Sequence, residues 1–263
     1  MHRKKKNKWI SRFLGLDILL VGLIAAIYLQ EDWAGSSNLF SGIHHFFTQT
    51  KIDAERSFAP ESLPDSVRPI DAPFIRQNPQ LPRGCEVTSL AMMLRQAGVS
   101  TDKMELAQAI DKVPFRQAGQ YGSPEKGFVG DMYNSNQPGY GVYHQPLVRL
   151  AEHYLPHRIV DLSGQPFSAV EKRLSKGKPV VVIINTTFRP LDASAFQTWQ
   201  TQSGAVRITY YEHAVLVTGY NQHEVYFNNP LGHKNQRADK AAFISAWMQM
   251  GRQAISYKNW PGF

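Results

Sequence analysis

The chain contains a single cysteine, Cys85, which lies in the stretch "LPRGCEVTSLAMML" between a glycine and a predicted helix. The free N–H groups and the dipole at the start of a helix stabilise a thiolate, so this position is typical of a reactive thiol. A cysteine buried in the core and a disulfide between two chains are the alternatives. Because one cysteine cannot form an internal disulfide, the fold must be stabilised by its core.

A thiolate that attacks a carbonyl carbon needs a base and a group that orients this base. His213 begins the predicted strand "HAVLVTGY", and Asn229 ends the next predicted strand, in "VYFNNPLG". Since a short hairpin joins the two strands, the end of the second returns to the start of the first. The Asn229 carbonyl could there accept the ring N–H of His213. The alternatives are a solvated histidine and a turn-forming asparagine, while strand alternation sends Asn228 to the opposite face.

The same segments resemble a known family. The stretches "LPRGCEVTSLAMML", "GFVGDMY" with "GYGVYHQPL", and "EHAVLVTGY" followed by "VYFNNPLG" are similar to bacterial proteins related to the double-glycine leader (bacteriocin-processing) cysteine peptidases, peptidase family thirty-nine of the papain-like superfamily. The resemblance covers about residues 69 to 235. It implies a papain-like α+β fold with Cys85 as nucleophile and His213 as base. Such relatives often have aspartate where this chain has Asn229, whereas papain itself uses asparagine.

The resemblance also implies a glutamine shortly before the cysteine that stabilises the oxyanion. The stretch "RQNPQLPRGC" offers Gln77 and Gln80, and the resemblance favours Gln77. The backbone N–H of Cys85 would be the second donor. We interpret Glu86 as a favourable charge in the first turn of the helix rather than as a catalytic acid. The glycine- and aromatic-rich loop "GSPEKGFVGDMYNSNQPGYGVY" is expected beside the site, where it would line a substrate groove.

Apolar periodicity predicts the elements that position these residues. Helices are predicted in "CEVTSLAMMLRQAG", "TDKMELAQAIDKV", "QPLVRLAEHYL" and "FSAVEKRLSKG". A buried strand, "PVVVIIN", precedes the two strands named above, and "DKAAFISAWMQM" predicts a last helix. Helices before a sheet indicate an α+β fold rather than alternating strands and helices. We expect this domain to span residues 69–263.

The amino-terminal part predicts attachment to a membrane. Residues 1–12 form a basic tail, and without its six basic residues the chain has 23 basic (29 − 6) against 21 acidic ones, which argues against nucleic-acid binding. Residues 13–32 contain the apolar run "FLGLDILLVGLIAAIYL", which predicts a transmembrane anchor with an extracytoplasmic domain. A cleaved signal peptide, and hence a secreted protein, is the alternative. Residues 33–68 predict a juxtamembrane helix and a proline-rich linker.

The sequence predicts no cofactor and no metal site. Pro156 separates His153 from His157, and no zinc-peptidase or dinucleotide motif occurs. The predicted function is therefore a membrane-anchored, extracytoplasmic cysteine peptidase or amide hydrolase that acts on a peptide or a cell-wall peptide. The alternatives are a catalytically silent papain-like domain that binds a surface peptide or wall component, and a structural thiol bridge through Cys85.

Overall fold

The computed structural model of the protein describes residues 62–259. The predicted basic tail (residues 1–12) and membrane helix (residues 13–32) lie outside the described residues, as does most of the predicted linker (residues 33–68). In the described part of the chain, no helix is long and apolar enough to cross a membrane.

The described chain has an α+β architecture. Its helices are α1 (Cys85–Gln96), α2 (Lys103–Ala109), α3 (His144–Tyr154), α4 (Phe167–Ser175) and α5 (Lys240–Gln249), with a short 3₁₀ turn at Ala193–Ala195. Its strands are β1 (Lys112–Val113), β2 (Arg116–Gln117), β3 (Gln120–Tyr121), β4 (Phe128–Val129), β5 (Ile159–Asp161), β6 (Val180–Asn185), β7 (Gln197–Thr201), β8 (Gly204–Ile208), β9 (Glu212–Tyr220), β10 (Glu224–Asn228), β11 (Gln236–Asp239) and β12 (Ala254–Tyr257). Each α-helix falls on one of the predicted helical segments, so the predicted α+β class is confirmed.

The main sheet has six antiparallel strands in the order β11–β10–β9–β6–β12–β5. All residues of β6 are buried, as the run of β-branched residues predicts. Val181 and Ile183 face an apolar layer formed with α1, α2 and α3. Val180, Val182 and Ile184 face a second layer formed with α4 and α5. Because the sheet is covered on both faces, each of these side chains contributes roughly 1.5–3 kcal/mol of burial free energy.

Helix α1 lies against the centre of this sheet. Its residues from Cys85 to Leu94 are all buried, so the helix is embedded in the core rather than amphipathic at the surface. The Ser89 hydroxyl donates a hydrogen bond of 3.1 Å to the Ala214 carbonyl of β9. This contact fixes the start of α1 beside the start of β9, where Cys85 and His213 lie.

A second sheet, β2–β3–β7–β8, was not predicted from the sequence. Its core is aromatic: the buried Trp199 of β7 stacks on Tyr121 of β3 with a centroid distance of 4.2 Å. Phe115 meets the same indole edge-on at 5.5 Å, and Tyr140 and Tyr210 contact it at 5.1 and 6.1 Å. Because Tyr210 belongs to the turn that leads into β9, this sheet extends towards the start of that strand.

Candidate active site

Cys85 is the first residue of α1, directly after Gly84. A Cβ atom at Gly84 would lie 2.6 Å from the Cβ of the buried Leu81, so the tight turn before the helix requires glycine. The Cys85 N–H belongs to the first turn of the helix, whose N–H groups have no acceptor within the helix. The predicted placement of Cys85 at a helix start is thereby confirmed.

The thiol of Cys85 lies in an acidic and buried environment. Cys85 is 6% exposed, and its Sγ donates a hydrogen bond of 3.2 Å to Oε2 of Glu86. Burial raises the pKa of the thiol well above its ordinary value, and the carboxyls of Glu86 and Glu212 raise it further. A hydrogen bond with the backbone of Ala214 lowers the pKa of the thiol, but by less than these groups raise it. The prediction that the helix start stabilises a thiolate is therefore wrong for this geometry, because burial and the two carboxyls favour the protonated thiol more strongly than the helix start favours the thiolate.

His213 and Asn229 form a direct hydrogen bond of 2.8 Å between ring Nε2 and side-chain Oδ1. The backbone N–H of Leu231 also donates to Oδ1, at 3.0 Å, and this donor fixes which end of the amide faces the ring. The Asn229 Nδ2 atom in turn donates to Gln236 Oε1 at 2.9 Å. Because Oδ1 can only accept, Nε2 of His213 carries the proton, and Nδ1 is left with a lone pair.

The surroundings of His213 keep its ring neutral. The residue is 1% exposed, on β9 opposite Ile184 of β6, and its ring packs against Phe188 with a centroid distance of 6.1 Å. Burial lowers the pKa of His213 to about 4, although the hydrogen bond to Asn229 favours the protonated form. No hydrogen bond joins the ring to the Cys85 thiol among the described residues. The two are connected through Ala214, which follows His213 and contacts Cys85.

Gln77 lies in the segment that precedes α1, and it is 1% exposed. Its Nε2 atom donates to the Pro82 carbonyl at 2.9 Å, which leaves the second N–H of the amide free. Its Oε1 atom is buried without a hydrogen-bond partner. The backbone N–H of Gln77 donates to the Pro230 carbonyl at 3.1 Å, next to Asn229. Gln77 therefore links the segment before Cys85 to the turn that carries Asn229.

Gln80, the alternative oxyanion donor, has a different environment. It is exposed, and its Oε1 atom accepts a hydrogen bond of 2.8 Å from Lys103 Nζ. The same ammonium group donates to the Gln77 carbonyl at 2.7 Å. Lys103 thus holds Gln80 at the surface, whereas Gln77 points into the protein. Asn228, the competitor of Asn229, donates through Nδ2 to the Pro73 carbonyl at 3.2 Å and is engaged away from His213.

The glycine-rich loop lies beside Cys85, as expected. The Arg83 guanidinium donates hydrogen bonds to the carbonyls of Asp131, Asn134 and Ser135, at 3.2, 2.9 and 2.9 Å. Further along the loop, the Val142 N–H donates to Oε1 of Glu86 at 2.7 Å. Arg83 and Glu86, on either side of the Gly84–Cys85 step, therefore anchor the middle of the loop and the end that leads to α3.

Glu86 and Glu212 are the site residues that sequence reasoning missed. Glu86 lies in the first turn of α1, as predicted, but it is fully buried. One oxygen from each carboxyl lies within 4.8 Å of the other and of the Cys85 sulfur. Burial raises the pKa of Glu86 to about 7, and burial together with Glu86 raises that of Glu212 well above its ordinary value. The sequence contains a signal for this burial, because each glutamate is a charged residue at the start of an otherwise mainly apolar element. Because thiol and carboxyl groups are metal ligands, these three residues could also hold a cation, and the expected absence of a metal site stays a prediction.

Comparisons with known proteins agree with the sequence motifs. A sequence profile of the Peptidase C39-like family matches residues 69–255. The protein YvpB of Bacillus subtilis (strain 168), which is uncharacterized, is 46% identical over 198 residues, covering 74% of this chain and 78% of YvpB. A crystal structure from Bacillus anthracis, described as that of a candidate C39-like peptidase, has a TM-score of 0.73 and 49% identity, covering 74% of this chain and 98% of that chain. The resemblance inferred from the motifs is confirmed.

Proposed function

Because this chain belongs to the Peptidase C39-like family, we propose that its domain is a papain-like cysteine peptidase or amide hydrolase that uses Cys85, His213 and Asn229. The observation that carries the proposal is the buried hydrogen bond between His213 Nε2 and Asn229 Oδ1. It leaves Nδ1 of a neutral imidazole as a base, one residue from the Ala214 backbone that contacts Cys85.

The proposed reaction is acyl transfer to sulfur. Nδ1 of His213 takes the proton of the Cys85 thiol as the sulfur attacks the carbonyl carbon of the substrate. The Cys85 N–H and the free N–H of Gln77 donate to the oxyanion of the tetrahedral intermediate. The imidazolium then protonates the leaving amine as the C–N bond breaks, which leaves a thioester on Cys85. A water molecule loses a proton to Nδ1, attacks the thioester and releases the acid, and Cys85 regains its proton.

The side chains around the proposed site support a peptide substrate. Four large exposed side chains lie on segments that adjoin the proposed catalytic residues. Tyr210 and Tyr211 precede β9, Leu231 follows Asn229, and Tyr133 lies on the loop held by Arg83. Apolar side chains of an extended peptide would pack on these residues. We propose a peptide or a cell-wall peptide as substrate, and an extracytoplasmic location through an anchor at residues 13–32.

Cleavage assays with the full chain in detergent micelles test this function. The purified protein is incubated with a mixture of synthetic peptides and, separately, with peptides released from the cell wall, and products are identified by mass spectrometry. Wild-type protein should cleave one of these, and Cys85→Ala and His213→Ala should not. Identical products from wild type and Cys85→Ala would contradict the proposal. Degradation of the domain by protease added to intact cells tests the extracytoplasmic location.

A catalytically silent binding domain is the second candidate function. It is favoured by the buried thiol, which is hydrogen-bonded to Glu86 at 3.2 Å rather than to the proposed base. Such a domain would bind peptides from the same mixtures without cleaving them. Wild type and Cys85→Ala would then bind the same peptides to the same extent.

A further inference from the structure

Two carboxyl groups lie within 4.8 Å of the sulfur of the proposed nucleophile: that of Glu86, which is fully buried, and that of Glu212, a half-buried residue whose Oε1 atom is buried. Glu86 comes from the first turn of α1 and Glu212 from the first residue of β9, and both side chains lie against Gly141. A Cβ atom at Gly141 would be 2.5 Å from Oε1 of Glu86 and 2.8 Å from Oε2 of Glu212. The absence of a side chain at Gly141 therefore creates the space in which the two carboxyls meet.

The hydrogen bonds distinguish the two members of this pair. Both oxygens of Glu86 accept: Oε1 from the Val142 N–H at 2.7 Å, and Oε2 from the Cys85 thiol at 3.2 Å. Oε1 of Glu212 is buried and has no hydrogen-bond partner. Because the two carboxyls lie within 4.8 Å of each other in a site largely shielded from water, ionisation of one opposes ionisation of the other, so the pair retains a proton. Because Glu86 is the acceptor of both donors, the proton belongs on Glu212.

The thiol is thus bound by a negatively charged acceptor. A hydrogen bond from S–H to a carboxylate stabilises the protonated form of the cysteine, and the negative charge opposes a second one on sulfur. No ion pair joins either carboxyl to a lysine or arginine in the part of the chain that the structure describes. The Val142 N–H stabilises the charge of Glu86, but no cationic side chain in this part of the chain neutralises it.

We propose that Glu86, supported by Glu212, is a positioning residue that binds Cys85 as an unreactive thiol in the resting protein, so that the sulfur reaches His213 only after it leaves Glu86. The inference rests on the proposed function, since it gives a second position to the nucleophile of that reaction. It also accounts for a hydrogen bond from the thiol to Glu86 in a protein that has a neutral imidazole nearby.

The titratable groups around the pair come from three elements. Cys85 lies on α1 beside Glu86, and His213 follows Glu212 on β9. Tyr140 and Tyr143, from the loop before α3, face Glu212, and burial is the main cause that raises the pKa of both phenols. Both phenols therefore stay neutral over the range in which Glu86 ionises. The hydrogen bond of 3.2 Å from the Cys85 thiol to Oε2 of Glu86 is therefore the contact that sets the environment of the sulfur.

Alkylation of Cys85 by iodoacetamide tests this role without any substrate. Since the chain has one cysteine, the loss of free thiol in the full-length protein reports Cys85 alone. In Glu86→Gln, the Val142 N–H should hold the amide oxygen, which turns the amide N–H₂ towards the sulfur. A donor then replaces an anion, so at about pH 8 the variant should react at least about tenfold faster than wild type, as for a thiol pKa lower by one unit. An equal or slower reaction would overturn the proposal, and a slower one would assign Glu86 as a base.

The pH profile gives a readout that a purely structural role would not change. In wild type, the alkylation rate should rise with pH, level off above about pH 7 as Glu86 ionises, and rise again at higher pH, as for two coupled groups. In Glu86→Gln the first plateau should be absent. If this variant does not fold, the wild-type profile is sufficient as a test. An alkylation rate that rises tenfold per pH unit through about pH 7 without a plateau would refute the positioning role of Glu86.

Two further variants serve as comparisons. Glu212→Gln should accelerate alkylation less than Glu86→Gln, because Glu212 carries the proton and does not bond to the sulfur. Glu105→Gln, at an exposed position on α2, should react like wild type. Because alkylation needs no turnover, it separates this inference from the proposed function. An absence of peptide cleavage with fast alkylation of Glu86→Gln would refute the function alone, and cleavage with unchanged alkylation would refute the positioning role alone.

Discussion

Replacing Glu86 with glutamine should change how the stability of the domain depends on pH. Burial raises the pKa of Glu86 from 4.5 to about 7, so between these values the folded protein keeps a proton that the unfolded chain has lost. The free energy of unfolding therefore falls as pH rises through this range, by about 1.4 kcal/mol per pH unit for one proton. Across the whole shift the loss is about 3 kcal/mol.

His213 has the opposite effect in an overlapping range. Its pKa is lowered by burial to about 4, so below its ordinary value of 6.5 the unfolded chain binds a proton that the folded protein does not. Stability from this group is present above the ordinary value and is lost as pH falls towards 4, again by about 3 kcal/mol. In wild type the raised pKa values of Glu86 and Glu212 both make stability fall as pH rises, and His213 acts in the opposite sense. Glu86→Gln should remove one of these two carboxyl contributions, so the free energy of unfolding should fall less steeply with pH than in wild type.

Urea unfolding followed by tryptophan fluorescence measures this effect. The free energy of unfolding of Glu86→Gln minus that of wild type should increase by about 3 kcal/mol from about pH 5 to about pH 7 and then level off. Asp65→Asn, at an exposed position, removes the same charge and should give a curve parallel to that of wild type. A difference between Glu86→Gln and wild type that is constant over this range would refute the assignment of a buried, titrating carboxyl.

Three further predictions concern the proposed site. Asn229→Ala should reduce the rate of peptide cleavage ten- to hundredfold, because loss of the acceptor for a buried ring N–H costs about 1–3 kcal/mol; an unchanged rate in steady-state kinetics would contradict an orienting role. Gln77→Ala should reduce kcat by about 10²–10³-fold through loss of an oxyanion donor, whereas Gln80→Ala should have little effect; the reverse order would assign Gln80 instead. Gly141→Ala should destabilise the protein by about 1–3 kcal/mol in urea unfolding, because its Cβ would displace both buried carboxyls; wild-type stability would show that the two side chains have room to move.

The elements with strong local signals were predictable from the sequence. The apolar run of β6 predicts a buried strand, and the side-by-side ends of β9 and β10 follow from a hairpin. The periodicity of α1 predicts the helix but not the burial of the whole segment from Cys85 to Leu94. The pairing of His213 with Asn229 needs only these elements. Strands β5 and β12 were not predictable in this way, because both are short and their partners are distant in the chain: β12 pairs with β6, and β5 pairs with β12.

The acidic environment of Cys85 was not predictable for a similar reason. Glu86 adjoins Cys85 in sequence, but its burial depends on Gly141 and Val142, which reach it from a loop more than fifty positions away. Glu212 joins them only because α1 packs against the start of β9. A helix start alone favours a thiolate, and the tertiary structure reverses this preference by adding burial and two carboxyls.

The most direct measurement of the central claim is the acylation of Cys85 by p-nitrophenyl acetate, which requires no knowledge of the natural substrate. In intact-protein mass spectra of the full chain, wild type should gain one acetyl group on Cys85 and lose it again by hydrolysis. His213→Ala should form this thioester about 10²–10⁴-fold more slowly, as expected for the loss of a general base, and Cys85→Ala should not form it. Absence of acetyl transfer to Cys85 in wild type, or equal rates in wild type and His213→Ala, would contradict a nucleophile activated by this histidine.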